Sequence, residues 1–192
     1  MNIIEIFTKS IFLIISFDSD LWEIIILSLY VSISALIIAS ILGLLIGYYI
    51  ALKKFLFKSF ILIVLNSLMG IPPVVVGLIV YFMFASGGPF GVLQLLYTPT
   101  AMIIAQVIII FPIVTSISHE IFDQNWREYK DQLRSINMPF FGIAYIITKH
   151  SYFLVITALL SAFGRAISEV GAVMIVGGNI DHFTRVMTTA IS

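Results

Sequence analysis

Long apolar runs, broken at a few places by clusters of charge, organise this chain. From Ile24 to Leu52 there are 29 residues without a charge. About 20 apolar residues cross a bilayer core as a helix, so a first span is predicted over 24–52, with length to spare for tilt. Gly43 and Gly47, four apart, give it a small face for close helix contact. Lys53, Lys54 and Lys58 follow. Ser59 to Ser118 then makes 60 residues without Asp, Glu, Lys, Arg or His, too many for one crossing. The turn signals Ser86-Gly87-Gly88-Pro89 and Thr98-Pro99-Thr100 divide that run into spans over about 60–84 and 99–118. A polar island, His119 to His150, sets Glu120, Asp123, Glu128 and Asp131 against Arg127, Lys130, Arg134 and Lys149. A last span over about 151–176 contains Arg165 and Glu169, and 177–192 is a mixed loop. At the other terminus Ile3, Ile4, Phe7, Ile11, Ile14 and Ile15 share one helical stripe, which predicts an interfacial amphipathic helix over 1–20. A signal peptide is the rival reading there, and Glu5 and the lack of an A-x-A site count against it.

Composition narrows the class. Of 192 residues, 60% are apolar and 10% charged, against roughly 45–50% and about 25% in average domains. The mean hydropathy is +1.13. This excludes a soluble globular enzyme, a disordered chain and a nucleic-acid binder. Ten basic and ten acidic residues cancel, so no overall field attracts a polyanion. With no cysteine there is no disulfide, thiolate metal site or cysteine nucleophile. Unbroken apolar runs do not suit barrel strands, which alternate over about 10 residues. The predicted fold class is an all-α integral membrane protein.

Alternation of sides, with the positive-inside rule, orients it. Lys53, Lys54, Lys58, Arg127, Lys130, Arg134 and Lys149 fall on one side, and Lys9 and Arg185 on the other. The former side is cytoplasmic, the N-terminus is outside, the 119–150 loop is cytoplasmic and 177–192 is external. The expected location is a bacterial cytoplasmic membrane, crossed several times.

Three stretches carry candidate chemistry. In Gly70-Ile71-Pro72-Pro73-Val74-Val75-Val76-Gly77 two prolines remove two backbone donors and free carbonyls one turn earlier. In hydrocarbon those carbonyls need partners or a watery cavity, so Pro72 and Pro73 fit a pathway-facing break or a tolerated kink. Asp131-Gln132-Leu133-Arg134-Ser135-Ile136-Asn137-Met138 reads as a short amphipathic helix ended by Pro139. Leu133, Ile136 and Met138 offer apolar knobs there, and Asp131 and Arg134 offer charge. It suits docking into a groove on a soluble partner, or simply a solvated loop. In Phe163-Gly164-Arg165-Ala166-Ile167-Ser168-Glu169-Val170-Gly171-Ala172 an ionisable group costs about 2.5–3.5 kcal/mol at membrane depth. Arg165 and Glu169, four apart, share a face, and Gly164, Ser168 and Gly171 make a small-residue face. A pathway or gating helix and a neutral structural ion pair both fit. Met69, Met83, Met102 and Met174 read as packing residues. His119, His150 and His182 lack ligand spacing, so no metal site is predicted, and no Walker loop is present.

Taken together these stretches resemble one family. "PPVVVG" at 72–77 is similar to a segment of molybdate- and tungstate-type ABC transporter permeases. Residues 131–138 resemble that family's coupling loop, E-A-A-x-x-x-G, with Asp131 for Glu, Gln132 and Leu133 for the alanines and Asn137 for Gly. Residues 163–172 resemble its "FaRAlgEfGA" element, and 178–191 its following external loop. The wording is closest to the tungstate type, and the likeness covers about 22–192. It implies a type-1 ABC permease helical bundle with four spans present and a final span missing beyond Ser192. It also implies a homodimer, a cytoplasmic ABC ATPase that takes 131–138 in a groove, and an external oxyanion-binding protein, all set in membrane lipid and with no nucleic acid. No cofactor belongs to this chain on that likeness; ATP and Mg sit on the ATPase. The implied function is import of an oxyanion, tungstate first, with molybdate or sulfate as alternatives. The rivals are a membrane enzyme, for which only Arg165 and Glu169 are available, and a non-transporting assembly subunit, which leaves the prolines and the intramembrane charges unexplained together.

Overall fold

The structure, a computed structural model, describes residues 16 and 18–191, apart from the side chains of Arg134 and Phe140. The amphipathic helix expected over 1–20 lies almost wholly outside the described residues. Helix α1 runs Ser19–Leu52, and its first turn is capped by Asp18, whose carboxylate accepts from Leu21 N at 3.1 Å. Helix α2 (Lys58–Met69) and helix α3 (Pro73–Phe84) follow. A single 3-10 turn at Gly91–Leu93 leads to α4, Pro99–Ser135. Then come α5 (Phe140–His150), α6 (Tyr152–Ile167), α7 (Gly171–Gly177) and α8 (Met187–Ile191). The described residues contain no strand.

By length and composition α1 and α4 each suffice to cross a membrane. The bent pairs α2–α3 and α5–α6 do so only if each is taken as one unit, with bends of 99° and 78°. Several sequence expectations change here. The span expected at 60–84 is two helices, because Pro72 and Pro73 do more than kink it: Pro73 takes the first helical position of α3, where a missing donor costs nothing. The span expected at 99–118 does not stop at the first charges. Residues 119–135 contain no Gly or Pro, and their buried Ile121, Phe122 and Leu133 keep one face on the core, so α4 continues through half of the polar island. The segment expected at 151–176 ends at Ile167 and resumes at Gly171.

Close approach explains how α1 and α4 pack. Ala35, Ala39, Gly43 and Gly47 repeat every four residues of α1 and are buried. A methyl on Gly43 would sit 2.8 Å from Val114 Cγ1, and one on Gly47 2.9 Å from the Thr115 carbonyl. The glycines expected to admit a neighbouring helix do so, and the neighbour is α4. One core joins α1, α3, α4, α6 and α7 through Val80, Ile110, Ala162, Ala166 and Val176. A second, at the opposite end from Asp18, joins α1, α4, α5 and α6 through Tyr48, Phe122, Leu133 and Ile147. Tyr48 and Phe122 meet edge to face at 5.8 Å. Beside them Lys58 Nζ reaches both Asp123, at 3.1 Å, and the Ala51 carbonyl, at 3.3 Å, while Arg127 holds the other Asp123 oxygen at 2.7 Å.

Candidate functional site

The break between α2 and α3 meets the break between α6 and α7. At the first, Gly70 N donates to the Ser67 carbonyl at 3.1 Å and Ile71 N to Leu68 at 3.3 Å, closing α2, and Val75 N donates to Pro72 at 2.9 Å, opening α3. At the second, α6 ends on Ser168, and Glu169 and Val170 are not helical. Glu169 is 5% exposed. One of its carboxylate oxygens accepts from Ala172 N at 3.1 Å, capping α7, and the other accepts from Arg165 Nη1 at 2.7 Å. Capping is a normal use of a carboxylate at a helix start; here it serves a break inside the apolar bundle. The breaks touch where side chains are smallest. A methyl on Gly77 would lie 2.6 Å from Ala172 Cα, and one on Gly171 2.5 Å from Val74 Cγ2.

The predicted pathway residues therefore separate into two groups. Glu169 and Gly171 come together at the junction, where Gly171 faces Val74, and Pro72 and Pro73 immediately precede Val74 in the chain. Gly164 and Ser168 do not: both are exposed, and nothing lies within 4 Å of a methyl placed on Gly164. The small-residue face expected to admit another helix meets none of the described residues at Gly164. Ser168 Oγ turns back to the Arg165 carbonyl at 3.2 Å. Arg165 keeps 36% of its side chain exposed. It lines an apolar groove of about 430 Å³ with Ile71, Val76, Val107 and Pro112.

Further residues hold the second break, and sequence reasoning missed them. Gln106, on α4, donates from Nε2 to the Ala166 carbonyl at 3.1 Å. Thr188 Oγ1 donates to the Glu169 carbonyl at 2.8 Å, and Met187 N donates to Ser28 Oγ at 2.8 Å. So the segment expected to be a plain external loop folds back on α1 and on the break. A lone amide in an otherwise apolar span was the available signal for Gln106, since polar groups at that depth are expensive. His182 Nδ1 lies 3.0 Å from Glu23, and Arg185 pairs with Asp181 at 2.8 Å. The Glu23 carboxylate, with the Asp181 charge beside it, raises His182 above the usual imidazole range.

The expected docking segment is built differently from its sequence reading. Residues 131–135 are not a separate short helix but the last turn and more of α4. The chain then turns at Asn137, whose φ of 47° is the left-handed conformation Asn tolerates best after Gly. Met138 N closes the turn on the Leu133 carbonyl at 3.2 Å, and Pro139 starts α5. Of the three apolar knobs only Ile136 is exposed. Leu133 is buried and Met138 half-buried because α5 folds back over them through Ile143 and Ile147. Asp131, Gln132 and Ser135 are exposed, and Ser135 Oγ donates to the Gln132 carbonyl at 2.7 Å. Phe141 and Tyr145 of α5 are also exposed at this tip, one helical turn apart. Among the described residues no cluster of His, Asp and Glu stands ready to hold a metal.

Long apolar helices and breaks that meet inside the bundle fit an integral membrane component. Residues 39–192 match the family described as "Binding-protein-dependent transport system inner membrane component", and the chain belongs to that family. It is a transport permease rather than a catalytic subunit, and it crosses the membrane more than once. It is 38% identical over 190 residues to the "Tungstate uptake system permease protein TupB" of Peptoclostridium acidaminophilum, covering 99% of this chain and 83% of that one. It is 40% identical over 170 residues to a "Probable anion ABC transporter permease protein" of Haloferax volcanii, covering 86% and 73%. A second TupB, from Campylobacter jejuni, is 34% identical over 139 residues, covering 72% and 58%.

Proposed function

We propose that two copies of this chain form the membrane pathway of an ABC importer that carries an oxyanion inward, tungstate ahead of molybdate or sulfate. One observation carries the substrate class: likeness over 99% of the chain to a relative named for tungstate uptake. The site chemistry agrees with it. A dianion needs a watery or dipole-lined route through hydrocarbon, and a strong fixed positive charge would hold it too tightly to let it go. Arg165 is the cation at the junction, and Glu169 partly neutralises it. Selectivity then rests mainly with an external binding protein.

Power comes from a cytoplasmic ATPase that holds ATP and Mg; this chain holds neither. Residues 131–138 and the start of α5 meet that ATPase, with Asp131, Arg134 and Asn137 at the turn and Ile136, Phe141 and Tyr145 as the apolar contacts. The N-terminus faces outward, and the exposed apolar faces of α1 and α3 meet lipid or the second copy.

In cells lacking this chain, supplied with each oxyanion in turn, element analysis should show tungsten falling while molybdenum and sulfur hold. Undiminished tungsten would refute the reading. Replacing Asp131 and Arg134 together should uncouple ATP hydrolysis from uptake; unchanged coupling would remove this segment from the mechanism.

A further inference from the structure

We infer that Gln106 is a positioning residue for transport, tying the long helix α4 to the break between α6 and α7. The inference rests on the reading of the chain as an ATP-driven permease. Gln106 is 4% exposed, and its Nε2 bonds the Ala166 carbonyl. Ala166 lies in the last turn of α6, where its carbonyl accepts the short-range bond of Glu169 N, at 3.2 Å, in place of the partner four residues on that an unbroken helix would supply. The bond thus falls on a group that exists in this form because the span is broken.

Packing alone does not account for an amide here. Gln106 Oε1 is buried without a partner among the described residues, an arrangement that an apolar side chain of similar size would avoid. The residue lines a small cavity whose polar members are Ser28, Ser32, Glu169 and Thr188 and whose apolar ones are Val31, Ile167 and Val186, so groups from α1, α4, the break and α8 converge on one point. Glu169, with its partner Arg165, supplies the charge of that neighbourhood.

The other end of α4 gives the bond its consequence. From Gln106 to Ser135 the chain is one helix, about 44 Å long at 1.5 Å per residue, with Pro112 inside it removing one backbone bond six residues after Gln106. Its small-residue seam with α1 and the Lys58–Asp123 bridge stiffen it. A push at the tip near Asn137 therefore moves α4 as one packed body as far as Pro112, and beyond that proline the Gln106 bond carries the displacement to the break. Close-packed elements of this kind shift as bodies rather than deform smoothly.

The test uses the complete complex in vesicles: this chain, its ATPase and its binding protein, with tungstate uptake and ATP hydrolysis measured together. Gln106→Leu should lower the maximal uptake rate about tenfold while the half-saturating tungstate concentration stays within about twofold. Hydrolysis should cease to respond to loaded binding protein. Gln106→Met is the second variant: it keeps the length and bulk of the side chain and removes only the donor to Ala166. It should show the same loss of maximal rate and of coupling. If Gln106→Leu fails to assemble, Gln106→Met decides alone. Wild-type rates and coupling in either variant would overturn the inference while leaving the permease reading standing. A wild-type complex without ATP-driven uptake would sink both.

Discussion

The two breaks in the membrane helices look alike in outline and are made by different means. Between α2 and α3 the backbone itself does the work: Pro72 and Pro73 cannot donate, and α3 starts where the missing donors are not needed. Between α6 and α7 no proline is present. Glu169 caps one fragment and pairs with the other, Gln106 holds the last turn of α6, and Thr188 holds the Glu169 carbonyl. A break set by covalent chemistry persists whatever surrounds it. A break set by side-chain contacts depends on where the neighbouring helices stand, which makes it the one that a moving helix can alter.

The sharpest way to break this contrast is at Glu169. Glu169→Leu strands the Arg165 charge and uncaps α7 at once. Breaking a fully buried pair from one side typically costs about 3–5 kcal/mol. Arg165 keeps 36% of its side chain exposed, so the charge contributes less than that, and the lost cap adds about 1 kcal/mol. The thermal midpoint in detergent should still fall, with Glu169→Gln in between. A midpoint as high as wild type for Glu169→Leu would mean that the carboxylate does not hold this break. Next comes Gly77→Ala, which drives a methyl into the Ala172 backbone. Overpacking of that kind costs about 1–3 kcal/mol, whereas Gly164→Ala, with open space around it, should be neutral or mildly stabilising on the same assay.

At the proline break the effect should be smaller. Pro73→Ala leaves α3 able to start where it does and loses only about 0.4–1 kcal/mol through a freer unfolded chain. A drop as large as that of Glu169→Leu would erase the distinction between the two breaks. The smallest effect concerns the 178–186 loop. His182 gains from Glu23 when protonated, and its folded value lies above the unfolded one. The pair's contribution is therefore complete below the ordinary imidazole value of about 6.5 and fades as pH rises through the raised one. Amide exchange at 178–186, corrected for intrinsic rates, should quicken on that rise in wild type and stay flat in His182→Gln.

Much of this was readable from the residues. The charge-free runs marked α1 and the membrane part of α4, Gly43 and Gly47 marked the seam between them, and the two prolines marked the first break. The second break was hidden because Arg165 and Glu169, four apart, read equally well on one unbroken helix; what separates the cases is the backbone at Ser168–Val170, which no residue type there dictates. The polar extension of α4 was hidden by charge, since a polar island reads as a loop until its buried Ile121, Phe122 and Leu133 are seen to keep one face. Leu133 was taken for an outward knob because the return of α5 over it is a tertiary fact.

The central claim, that this chain conducts an oxyanion under power supplied by a separate ATPase, meets its most direct test in sealed vesicles carrying the chain with its ATPase and loaded binding protein. Tungstate should accumulate inside only when ATP is supplied on the ATPase side, and a non-hydrolysable analogue should not support it. Equal entry with and without ATP, or none in either case, would contradict the account.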